Sequence, residues 1–234
     1  MKNIKWLAIG TAACLFLSFR ASADILYNNG VNNSGYTLTL QNGQEAGNEI
    51  LMTGSYYLTN FSFNYYSSGS DYGDVTLEIL FQINNGTPYN GYNTPGTVIY
   101  DSGPFSLPNN NGDGGLDFSI NDLSLGDTVP LNSNTPLPSD FTVSYIVQGL
   151  TEDDVFGLDL YDPPAGGTPG SSYNDYWYNP GTGWILDTNN VAPSDNDIAS
   201  IFYGSLTPAP EPATISIGIL SGAALLLMAK RRRQ

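Results

Sequence analysis

The sequence contains no histidine, a single cysteine (Cys14) and only seven lysines and arginines in 234 residues. The seven cations are Lys2, Lys5, Arg20, Lys230, Arg231, Arg232 and Arg233, so none lies between Asp24 and Thr207. Of the 22 acidic residues only Glu211 falls outside that span, which therefore carries 21 carboxylates and no counter-charge. Each absence excludes a class of function. Nucleic-acid binding needs Lys or Arg to displace the counterions of phosphate, and capture of phosphate or sulfate by guanidinium forks needs Arg. Without His, Lys or Cys the usual general bases, covalent nucleophiles and zinc ligands are missing, and paired carboxylates are the remaining catalytic resource. One cysteine cannot form an internal disulfide. A span of about 180 residues is long enough to bury a core without one.

What is present reads as strand and turn. From Asp24 to Leu206 short apolar-rich runs alternate with clusters of Gly, Asn, Pro and Ser, and no amphipathic helix is visible. Asp74 to Asn84 is the clearest strand: Val75, Leu77, Ile79, Phe81 and Ile83 share one face, and Thr76, Glu78, Leu80 and Gln82 the other. The stretches 58–66, 116–120, 141–147 and 155–161 repeat the pattern, and 25–27, 36–40, 98–100, 183–186 and 201–206 are shorter candidates. About ten such strands predict an all-β fold, an antiparallel β-sandwich with jelly-roll-like connections. No internal repeat suggests a solenoid or propeller.

The two ends differ from this middle. Lys2 and Lys5, the apolar run Trp6 to Phe19 and Ala21-Ser22-Ala23 form the three regions of a secretory signal peptide, assigning 1–23 to a signal helix and 24–206 to the ectodomain. Thr11-Ala12-Ala13 lacks the leucine expected before a lipidated cysteine, which tells against a lipoprotein reading through Cys14. After a Pro-rich spacer at 207–212, residues 213–229 form an apolar run of 17 residues, at the short end of what crosses a bilayer. Lys230, Arg231, Arg232 and Arg233 in the basic tail 230–234 are the stop-transfer charges that stay inside.

The motif Pro210-Glu211-Pro212, the short apolar helix and the terminal basic cluster together resemble the PEP-CTERM sorting signal of Gram-negative bacteria. The resemblance covers only the tail. It implies recognition and cleavage by a membrane protease of the exosortase type, in cells that export an extracellular polysaccharide. It also implies a precursor anchored in the inner membrane, then a product at the cell surface or in the extracellular matrix of a biofilm. The stretch Asp74 to Leu107 resembles, more loosely, ectodomains carried in front of such tails, and implies no site residues.

Three constellations carry chemistry. Asn109, Asn111 and Asp113, with Asp117 beyond them, place oxygens at alternate positions around Gly112 as calcium loops do; the other reading is a Gly-Asn hairpin loop. Ile120 stands where an EF-hand needs a bidentate Glu. Asp195-Asn196-Asp197 and Glu152-Asp153-Asp154 are comparable oxygen clusters. Tyr176, Trp177 and Trp184 gather aromatic faces near Asp175, either to stack on sugar rings or as core residues of a hairpin. Asp159 with Asp162, and Asp175 with Asp187, are the carboxylate pairs a glycoside hydrolase would draw on, but among 21 carboxylates such pairs arise by chance. The sequence thus predicts a non-enzymatic structural or adhesive protein without a required cofactor, calcium being the one candidate. Its expected partners are an exosortase-type protease, the bacterial membrane before processing and an extracellular polysaccharide, with no nucleic acid. A carbohydrate-binding module is the alternative and a glycoside hydrolase the remote one.

Overall fold

The computed structural model describes residues 23–30, 33–69, 72–119, 136–164, 166–188 and 197–206. The predicted signal helix, the Pro210-Glu211-Pro212 motif, the apolar run 213–229 and Lys230 to Arg233 lie outside them. Among the described residues no helix is long and apolar enough to cross a membrane.

The described chain is all-β, apart from one 3-10 turn at Tyr72–Asp74. Its strands are β1 (Asp24–Asn28), β2 (Asn33–Leu40), β3 (Glu45–Met52), β4 (Tyr57–Ser68), β5 (Thr76–Ile83), β6 (Thr97–Asp101), β7 (Phe105–Ser106) and β8 (Gly112–Ser119). They continue with β9 (Asp140–Gln148), β10 (Val155–Tyr161), β11 (Gly170–Ser171), β12 (Tyr176–Asn179), β13 (Ile185–Asp187), β14 (Asp197–Ile198) and β15 (Ser200–Ser205).

These strands form two antiparallel sheets. One runs β1-β15-β4-β10-β14, with β2 on β10 and β8 on β4; the other runs β13-β12-β3-β9-β5-β6, with β11 on β3 and β7 on β5. The strand predicted at Asp74 to Asn84 is β5, with the faces assigned from its alternation. Leu77, Ile79 and Phe81 are fully buried, and Thr76, Glu78 and Leu80 are half-buried on the other side.

The inward faces of the two sheets meet in one aromatic core. Phe61 of β4 stands edge-on to Phe81 of β5 at 5.3 Å, Phe63 of β4 lies 4.8 Å from Tyr145 of β9, and Phe202 of β15 is 6.0 Å from Phe141 of β9. Each such pair adds roughly 0.5–1.5 kcal/mol to its area burial. All six rings are at most 1% exposed, which gives a domain without disulfide or described ion pair its cohesion.

The connection from β5 to β6 opens at Asn85-Gly86 as a long loop, closed by Gly86 N–H donating to Thr94 O at 2.8 Å. The tight reversal sits at Asn90-Gly91, with φ of 51° and 90°, between the bridged Tyr89 and Tyr92. More important, β3 was not foreseen. Its sequence Glu-Ala-Gly-Asn-Glu is rich in residues that strands avoid, yet it is hydrogen-bonded along both edges, to β9 and to β12. Gly47 makes the β9 side possible, since a Cβ there would stand 2.7 Å from Thr142 Cγ2 and from Val143 O.

Candidate functional site

The unforeseen strand carries the chemistry. Alternation along β3 sends Ala46, Asn48, Ile50 and Met52 inward and leaves Glu45, Gly47 and Glu49 on the outer face of the sheet. Registered against that face are Thr142 and Ser144 of β9, Gln82 of β5 and Trp177 of β12. Trp177 thus points away from the aromatic core, while its neighbours Tyr176 and Tyr178 pack against it. Its indole is nonetheless fully buried, and its Nε1–H donates to Glu49 Oε2 at 3.2 Å.

A polar network spreads from there. Gln82 Nε2 donates to Glu45 Oε1 and to Ser144 Oγ, both at 2.8 Å, and Ser144 Oγ donates to Glu45 Oε1 at 2.5 Å. Thr142 Oγ1 donates to Asn84 Oδ1 at 2.7 Å, and the Asn84 amide donates on to Asp140 Oδ1. Gln82, Asn84, Thr142 and Ser144 are all buried. Every donor in this network is a neutral side chain, because the described residues contain no Lys, Arg or His.

Burial without cations raises the carboxyls. Glu49 is pushed up to about 7, first by desolvation and then by the charge of neighbouring Asp140, with the Trp177 N–H opposing. Asp175 is raised to about 6 by desolvation, and Glu45 is raised by desolvation against its hydrogen bonds from Ser144 and Gln82. Glu49 and Asp140 share a hydrogen bond. The two carboxyls form one closely spaced pair. It is closer than the roughly 5 to 10 Å that glycoside hydrolysis places between its acid and its nucleophile or base.

The predicted site residues fall as follows. Tyr176, Trp177 and Trp184 do lie on the β12–β13 hairpin, which pairs Trp177 with Leu186. The buried Trp177 presents no ring face, whereas Trp184, between the two strands, is half-buried and Tyr173 is 53% exposed. Tyr176 donates its hydroxyl to Asp187 at 3.0 Å. Asp175 acts instead on Glu49 and Asp197, so the drawn pair Asp175 and Asp187 takes separate neighbours.

The calcium set is spread out. Asn109 donates to Gly69 O, just beyond the end of β4, and accepts the Asn111 N–H of its own loop, each at 3.0 Å. Asp113 and Asp117 stand exposed along β8, four residues apart in an extended strand, a separation of about 13 Å. One ion cannot bridge them. Among the described residues no group of three or more acidic, His or Cys side chains is placed to hold a metal. Asp159 is buried in β10, accepts from Thr37 Oγ1 at 3.3 Å and is raised to about 6 by desolvation and then by Asp113.

Sequence reading missed Glu45, Asn48, Glu49 and Asp140 altogether. The available signal was the alternation of β3, hidden by an asparagine on its inward face. Neither a protein-family model nor a curated protein nor a solved structure matches this chain.

Proposed function

We propose that this chain is an exported, non-enzymatic structural or adhesive component of a bacterial surface or extracellular matrix. In this reading residues 24–206 form a jelly-roll-like β-sandwich. The repeated passage of the chain from one sheet to the other, as in β2 to β3 to β4 to β5, supports it. The domain is carried out by the signal segment, held briefly by the apolar run and released by an exosortase-type protease into an exopolysaccharide context.

The observation that carries this reading is the sequence of segments at the end of the chain: Pro210-Glu211-Pro212, then the apolar run 213–229, then Lys230 to Arg233. It is supported by a span from Asp24 to Thr207 that lacks every cationic or thiol catalyst. The test is expression of the full chain in a host that has such a protease. Wild-type protein released from cells should lack Lys230 to Gln234 by intact mass, and replacing Pro210-Glu211-Pro212 with three alanines should leave the precursor in the membrane fraction. Released protein that still carries its basic tail sinks the proposal.

A second reading, a carbohydrate-binding module for the exported polysaccharide, draws on half-buried Trp184 and exposed Tyr173. It uses Trp184, not Trp177, as the stacking ring.

A further inference from the structure

A second polar cluster lies inside the fold, on the inward side of β3. Asn48 of β3, Tyr27 of β1 and Asp197 of β14 are each fully buried, and Ser172, just after β11, completes the set. Asn48 Nδ2 donates to Tyr27 Oη at 3.0 Å, Tyr27 Oη donates to Ser172 Oγ at 3.0 Å, and Ser172 Oγ donates to Asp197 Oδ2. Because β1 and β14 belong to one sheet and β3 and β11 to the other, this relay crosses between the sheets at every step.

The donors run in one direction and end on an acid. Two oxygens are left over, Asn48 Oδ1 and Asp197 Oδ1, both buried and both without a partner. An ionised carboxylate only accepts, so with the Asn48 amide in this orientation it would leave both unsatisfied, and each orphaned buried acceptor carries a desolvation cost. A neutral Asp197 brings one proton on Oδ1. Asn48 lies beside the Asp197 carboxyl, and its unpartnered Oδ1 is the matching acceptor. One proton satisfies both atoms and closes the relay into a ring.

We propose that Asp197 is a buried proton-binding site, held as the neutral acid in the native fold, where its O–H to Asn48 closes a hydrogen-bonded clasp between the two sheets that opens on deprotonation. The surroundings agree. The titratable groups facing Asp197 are Tyr27 from β1 and Asp175 from the segment before β12; Tyr145 of β9 lies beyond Tyr27, and Glu49 and Asp140 beyond Asp175. All are acids, and no Lys, Arg or His is present among the described residues to stabilise the anion. Desolvation, with the charge of Asp175 adding to it, raises the Asp197 carboxyl to about 8, with the bond from Ser172 and the neighbouring Asn48 and Tyr27 side chains opposing. The reverse orientation of the Asn48 amide would instead donate to an ionised Asp197, so the two states make opposite predictions.

Thermal melting of the full chain between pH 5 and 9, wild type beside Asp197→Asn, separates them. The asparagine copies the neutral acid, since its amide donates to Asn48 and its carbonyl accepts from Ser172. The wild-type Tm should fall more steeply with pH than that of the variant, by about 3 to 5 °C per pH unit up to about pH 8, and the variant should be the more stable of the two at pH 8. Equal slopes overturn the proposal. If Asp197→Asn does not fold, carbon-13 NMR of the wild-type Asp197 carboxyl decides: the acid form at pH 6 with a midpoint above 7 upholds the clasp, and the carboxylate form at pH 6 refutes it.

Discussion

Truncation of Trp177 to alanine tests how the outer face of β3 is built. The indole is fully buried although it points away from the main core, and it donates to Glu49 at 3.2 Å. Removing a buried Trp side chain costs about 3–5 kcal/mol in lost transfer energy and cavity, and loss of the N–H leaves Glu49 without one of its donors. About 4 kcal/mol in a domain of this size lowers Tm by about 8 to 16 °C. Trp177→Phe keeps most of the packing and loses the donor, at about 1–2 kcal/mol. Fluorescence supplies an independent readout. In a Trp6→Phe, Trp184→Phe background Trp177 is the sole emitter of the three tryptophans; its emission should be blue-shifted and resist acrylamide. A Trp177→Ala protein melting within a degree or two of wild type, or free quenching of the single-Trp protein, would show that the indole is exposed in solution.

Two further outcomes follow. On a glycan array the full chain should bind exported-type polysaccharide fragments if the carbohydrate reading holds, and Trp184→Ala should lose that binding with a Tm within about 3 °C of wild type; binding unchanged by Trp184→Ala removes the stacking role. Across pH, every carboxyl with a resolved shift is raised: Glu45, Glu49, Glu78, Asp159, Asp175 and Asp197. A raised folded-state value means that the native state binds the proton more tightly, so this stability is fully present below the ordinary carboxylate range and is lost as pH rises through the folded values, from about 4 to about 8. Tm should therefore be higher at pH 5 than at pH 8 in buffers of equal ionic strength, and the opposite slope would contradict the burial assigned to these groups.

How far the sequence could be read depended on whether one face of a strand was uniformly apolar. β5, β9 and β10 were legible because Leu77, Ile79 and Phe81, or Phe141, Val143, Tyr145 and Val147, alternate without interruption. β3 was not, because Asn48 occupies an inward position and Glu45, Gly47 and Glu49 carry low strand propensity. In β12 the alternation of Tyr176-Trp177-Tyr178 turns Trp177 opposite to both tyrosines, whereas the sequence reading grouped Trp177 with Tyr176 and Trp184. Nothing local said which face met the core, and the pairing with β3 decides it. Asp197 was visible only as one of three consecutive oxygen-bearing residues. Its burial arises from contacts with Ser172, 25 residues earlier, and with Tyr27 near the start of the domain, which no local pattern encodes.

The missing cations connect the composition to both polar clusters. A carboxylate removed from water needs compensation, and where Lys, Arg and His are absent only neutral donors or protons can supply it. Neutral donors are used throughout: Gln82 and Ser144 for Glu45, the Trp177 indole for Glu49, Thr37 for Asp159 and Ser172 for Asp197. Each of these bonds favours the charged form, yet burial outweighs them and all four carboxyls remain raised. Protonation supplies further compensation as pH falls. Every proton bound by a buried carboxyl also removes one charge from a span whose 21 acids repel one another. Added sodium chloride screens the exposed charges and does little for the buried ones. Acidification reaches both, so a change of pH should move Tm more than a change of sodium chloride concentration does.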